Sequence, residues 1–157
     1  MYKQLLLLIS IISFSSFSYA TAITADKPLP AGPSSDLEFV KPWARPSMSA
    51  SNNSAAYFTI KNNSDKEYIL IGASAADTAN NVELHQSFVD EKGVSKMTNV
   101  DKMVIPSRAE VVLKPGGNHI MLFDLKRNLK TGDKFKLELK FDKSDPKTIE
   151  VEVSSQQ

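Results

Sequence analysis

The chain has 157 residues, 41% hydrophobic and 24% charged, which is the composition of one globular domain and excludes a fibrous or wholly disordered chain. With 19 basic residues against 18 acidic ones the formal charge is +1, and no basic run offers a phosphate-binding patch, so nucleic acid is excluded as a partner. Cysteine is absent, which excludes disulfides, thiolate zinc sites and thiol nucleophiles.

Residues 1–20 read as a signal peptide. Lys3 supplies the positive region, residues 5–17 the apolar core, and Ser18-Tyr19-Ala20 the small residues before a cleavage site. Cleavage after Ala22 is the close alternative. The apolar run is too short and serine-rich to span a bilayer comfortably, and no later segment is long enough. An exported, soluble protein with no stable membrane span after cleavage is expected. Loss of Lys3 leaves 18 basic residues against 18 acidic ones. Residues 21–36 read as a flexible lead-in, because Pro28, Pro30 and Pro33 oppose both helix and ladder hydrogen bonds.

Residues 37–154 read as one β domain. Residues 37–44 form a first strand with Val40 and Trp43 inward, followed by a loop over 46–53 that contains Met48. Residues 55–60 form a second strand, closed by a turn over 62–65. The near-continuous apolar run 68–73 predicts a strand buried on both faces. Residues 75–81 read as a polar link. Residues 82–85 alternate apolar and polar and end in His85, and Phe88-Val89 leads to a turn over 90–93. Residues 94–100 form the return strand. Val104-Ile105 and residues 110–113 follow, with Met103 as core filler. Pro115 and Gly116 favour a turn over 114–117, and 119–123 form the next strand. A helix over 124–129 would be too short to matter. Phe135, Leu137, Leu139 and Phe141 alternate with charged residues, the pattern of a strand with one wet face. Ile149, Val151 and Val153 repeat it after a turn at Asp145-Pro146. Short strands spaced by turns, with almost no helical periodicity, predict an all-β antiparallel sandwich or small barrel.

Both histidines and three of the five methionines fall between His85 and Met121. In a strand, His119 and Met121 project from one face, so imidazole and thioether lie side by side. His85 and Met97 are placed to close the site from the other side. A mixed His and Met set without thiolate or carboxylate suits a soft ion, Cu(I) first and Ag(I) also, whereas zinc asks for Cys, His or carboxylate. Proton competition at the imidazoles predicts weaker binding below their ordinary pKa of about 6.5.

His85, Met97, His119 and Met121 stand at the spacing H(M)X10MX21HXM, and the segment Leu113-Lys114-Pro115-Gly116-Gly117-Asn118-His119-Ile120-Met121 surrounds the second pair. This resembles the periplasmic copper chaperones of the PCuAC type. The resemblance runs from about Leu37 to Val153 and includes Trp43-Ala44-Arg45 and Ala55-Ala56-Tyr57. It implies a cupredoxin-like antiparallel Greek-key sandwich or barrel in the periplasm. It implies one Cu(I) on His85, Met97, His119 and Met121. It also implies delivery to a copper-accepting protein, an oxidase subunit or a thiol copper chaperone, in cytochrome c oxidase assembly. Gln86 stands where the motif has its optional methionine, so no ligand role passes to it. No His- or Met-rich tail follows Val153.

Other classes fit less well. A blue-copper centre needs a thiolate. No G-x-S-x-G motif marks a hydrolase, so a carrier and not an enzyme is expected. The alternative is a non-metal β-sandwich, a binding or adhesion/assembly module of the cell envelope, which leaves the His/Met spacing to chance.

Overall fold

The computed structural model describes residues 36–47 and 52–155. The expected signal peptide, nearly all of the lead-in and Met48 lie outside the described residues. The described chain forms ten strands and no helix: β1 (Leu37–Ala44), β2 (Ser54–Asn62), β3 (Tyr68–Ser74), β4 (Ala79–Val89), β5 (Ser95–Asn99), β6 (Met103–Ile105), β7 (Glu110–Leu113), β8 (Asn118–Leu125), β9 (Lys134–Phe141) and β10 (Ser144–Val153). The sheet order is β5-β4-β8-β2-β1-β10-β9-β3-β6. β2 changes partner midway: Ser54–Ala56 pair with β8 and Phe58–Lys61 with β7. Every pairing is antiparallel except β1 with β10, where Trp43 lies beside Glu152 and Ala44 beside Val153. Those two strands stand at opposite ends of the domain sequence, so no short hairpin forces them antiparallel.

One hydrophobic cluster holds the sheet together. Ile60, Leu70, Ile105, Ile120, Leu122, Leu137, Leu139 and Val151 are all fully buried within it. β9 shows the expected alternation, with Phe135, Leu137, Leu139 and Phe141 inward and the lysines outward. Met103 is buried in the cluster as expected for a core filler.

Several local expectations are corrected. β3 is not buried on both faces: Leu70 is fully buried but Ile71 is 49% exposed, because among the described residues no second layer covers Ile71 on the outer face of β3. The turn between β9 and β10 falls at Asp142-Lys143. Asp145-Pro146 instead sits in a bulge of β10, between Ser144 and Lys147, where proline's missing N–H breaks no ladder bond. Residues 75–78 form a turn closed by Thr78 and Ala79 N–H groups on the Ala75 carbonyl, and β4 already begins at Ala79. β4 continues to Val89, so His85 is a mid-strand residue. β8 extends to Leu125, which removes the short helix. Val40 and Trp43 pair with Thr59 and Tyr57 on the face of β2 opposite the cluster, not in it.

Asn62 pins the end of β2 to β6. Its side chain is buried; Nδ2 donates to the carbonyls of Lys66, Ile105 and Pro106 at 2.6, 3.2 and 2.9 Å. Its Oδ1 accepts from the Ser64 N–H at 3.0 Å and hydroxyl at 2.8 Å. Asn62→Ala strands these groups and is expected to cost about 2–4 kcal/mol. A urea unfolding midpoint unchanged in the variant would show that water replaces the amide at no cost.

Candidate metal centre

The turn over 114–117 delivers β8 to its partner strands. The Lys114 N–H donates to the Asn118 carbonyl at 2.8 Å and the Gly117 N–H to the Lys114 carbonyl at 3.0 Å. Gly116 takes a φ of 75°, which a side chain would disfavour. β8 then pairs with β4 so that His85 lies directly opposite His119 and Glu83 opposite Met121. On the other side of β4, Met97 of β5 lies opposite Ser87 and Asn99 opposite His85. Alternation along each strand therefore puts His85, Met97, His119 and Met121 on one face. The other face carries Leu84, Ile120 and Leu122, which belong to the hydrophobic cluster.

The two imidazoles are brought together, with ring centroids 5.8 Å apart. Met121 and Met97 flank them in opposite directions, one level with Glu83 and the other with Ser87. Exposure is graded across the set. His119 is buried, Met121 half-buried, and Met97, on the edge strand, 52% exposed.

Each imidazole has one nitrogen committed and one free. His119 Nδ1 is 2.9 Å from the Gly117 carbonyl. A carbonyl only accepts, so Nδ1 carries the proton and Nε2 the lone pair. Burial lowers the pKa of His119 below 6.5; His85 and Arg45 add to this, and the Gly117 carbonyl opposes it. The ring is therefore neutral at neutral pH. His85 Nε2 is 2.9 Å from Glu83 Oε2, and the acceptor is again fixed as the carboxylate. Glu83 is held below the ordinary carboxylate range, first by this bond and also by Asn81 and Asn99. His85 Nδ1 is buried and has no hydrogen-bond partner among the described residues. A buried lone pair without a donor is a site for a Lewis acid.

Aromatic rings enclose the imidazoles. Trp43 stacks on Tyr57 at 4.6 Å, Tyr57 lies 6.2 Å from His119, and Phe123 lies 5.7 Å from His85. The Arg45 guanidinium sits 5.8 Å from the Tyr57 ring centre. Among the described residues no three His, Asp or Glu side chains are grouped to hold a metal, so a metal on this face would need the thioethers beside the imidazoles. Sequence reasoning missed Glu83, Asn99 and Tyr57. Glu83 was within reach, since it stands two residues before His85 on an alternating strand. Asn99 and Tyr57 depend on register, which no local pattern states.

Residues 37–153 match the LpqE-like family, described as "Putative lipoprotein LpqE-like". The "Uncharacterized protein RP573" of Rickettsia prowazekii (strain Madrid E) is 39% identical over 123 residues, spanning 76% of this chain and 67% of that protein. Among solved structures, the copper-bound PCuAC domain from PmoF2 superposes with a TM-score of 0.64 at 24% identity, covering 77% of this chain and 94% of that one. CuI-DR1885 from Deinococcus radiodurans is 28% identical with a TM-score of 0.58, covering 76% of this chain and 80% of that one. The chain belongs to the LpqE-like family, and its all-β fold is that of the PCuAC domains.

Proposed function

We propose that this domain is a copper chaperone that binds one Cu(I) through His85, Met97, His119 and Met121. The observation that carries this is the free, buried Nδ1 of His85 on the same face as His119, whose own free nitrogen is Nε2. Neutral imidazoles and thioethers match a soft monovalent ion. The copper-bound state of PmoF2 and the CuI state of DR1885 support the same cargo here. Export to the periplasm agrees with the lipoprotein description of the family. Transfer to an acceptor in cytochrome c oxidase assembly is the destination we favour, and the protein acts as a carrier without chemistry of its own.

The exposure gradient sets the order of transfer. Met97 lies on the edge strand and is open to an incoming thiolate, whereas His119 is buried. An acceptor thiolate displaces Met97 first, then Met121, and the imidazoles release last. Stronger thiolate coordination in the acceptor drives the exchange.

Competition with a chromophoric Cu(I) chelator under reducing conditions tests the site. One tight equivalent is expected for the wild type, and its loss in the His119→Ala/Met121→Ala double variant. A wild type that fails to compete would return the protein to the envelope-module reading.

Met97→Ala is expected to weaken binding less than His119→Ala, by about tenfold against about a hundredfold or more, and to slow handover to a dithiol acceptor. Stopped-flow transfer at the wild-type rate would remove Met97 from the entry route.

A further inference from the structure

Within the copper reading just given, we propose that Glu83 is the positioning residue that directs copper to Nδ1 of His85, so that the two histidines bind through different ring nitrogens. Glu83 shares the site face with His85 and lies opposite Met121. Its carboxylate is held by three donors: Oε2 accepts from His85 Nε2 and Asn99 Nδ2, both at 2.9 Å, and Oε1 accepts from Asn81 Nδ2 at 2.6 Å. A carboxylate so engaged has little freedom to turn. It holds the proton of His85 on Nε2 and fixes the ring plane. The lone pair of the neutral ring is then on Nδ1, the buried atom with no partner among the described residues. Such carboxylate–histidine pairs raise ligand basicity and preset ring orientation at metal sites.

Asn99 extends the same device across strands. It stands opposite His85 on β5, two residues from Met97, and its amide donates to the Glu83 oxygen that also receives the imidazole. Glu83 thereby ties the strand of Met97 to the strand of His85. His119 uses the main chain for the same purpose, since the Gly117 carbonyl holds its Nδ1 proton and leaves Nε2. One acceptor is a side chain and the other is backbone, so mutation can remove the first alone.

The test is long-range 1H–15N NMR of the histidine-labelled chain, with and without Cu(I), which is diamagnetic. In the metal-free wild type the His85 Nε2–H is expected as a slowly exchanging signal. On Cu(I) addition His85 Nδ1 and His119 Nε2 are expected to shift, with the His85 Nε2–H retained. In Glu83→Ala that signal exchanges into solvent, and Cu(I) affinity falls about 10- to 100-fold while the unfolding midpoint stays within a few degrees. Glu83→Gln, whose Oε1 still accepts the Nε2 proton, restores most of the affinity. Loss of the Nε2–H on copper binding would overturn the assignment, because copper would then occupy Nε2. Equal affinity losses in Glu83→Gln and Glu83→Ala would also overturn it, by making the carboxylate charge or a direct ligand the cause. A wild type with the protected Nε2–H but no copper-induced shift would defeat the copper reading itself, and the assignment with it.

Discussion

The register between β4 and β8 is the constraint on which the site depends. A shift of one residue would reverse every side chain on β4 relative to its neighbours. Leu84, Ile120 and Leu122 are buried on the inner face. At roughly 1.5–3 kcal/mol for each buried side chain, their exposure would cost several kcal/mol. The same slip would turn Glu83 and His85 into an apolar interior, where a charge is worse still. The core therefore sets the register, and the register opposes His85 to His119. No direct attraction between the imidazoles is needed to bring them together.

The turn over 114–117 makes that register reachable. β7 and β8 both pair with β2, at opposite halves, and the turn carries the chain between them. Gly116 supplies the positive φ, and the Lys114–Asn118 and Gly117–Lys114 bonds close the loop. Gly117 then has a second role, since its carbonyl orients His119. The sequence that makes the turn also sets the ring nitrogen that His119 presents.

Much of this was legible because β-sheet periodicity is local. The alternation from Lys134 to Phe141, the Pro115-Gly116 turn and the His119/Met121 pair all read correctly from neighbouring residues. Burial of a strand depends on what covers it, and nothing local states that. Tyr68–Ser74 looks like a two-faced core strand, yet Ile71 is exposed. Trp43 looks like a core aromatic, yet the bulge at Lys41, with its φ of 51°, brings it round to Tyr57 on the outer face. The histidine spacing was readable, but the partners that assign their protons come from other strands or from the main chain.

The outer face combines two mechanical regimes. His119 sits in the middle of the sheet, beside β2 and beneath the Trp43–Tyr57 stack, where packing fixes a ring. Met97 belongs to β5, all of whose residues are exposed and which, among the described residues, has β4 as its sole ladder neighbour. An open edge strand is ordinarily a liability that proteins blunt or cover. Lys96, paired with Asp90 at the hairpin, charges this edge without closing it. A carrier needs a ligand that lets go, and a three-torsion thioether on an exposed margin meets that need better than one in the core. In the proposed carrier, affinity and release would thereby fall to different strands: the interior pair β4–β8 would hold the ion, and the edge would govern its departure.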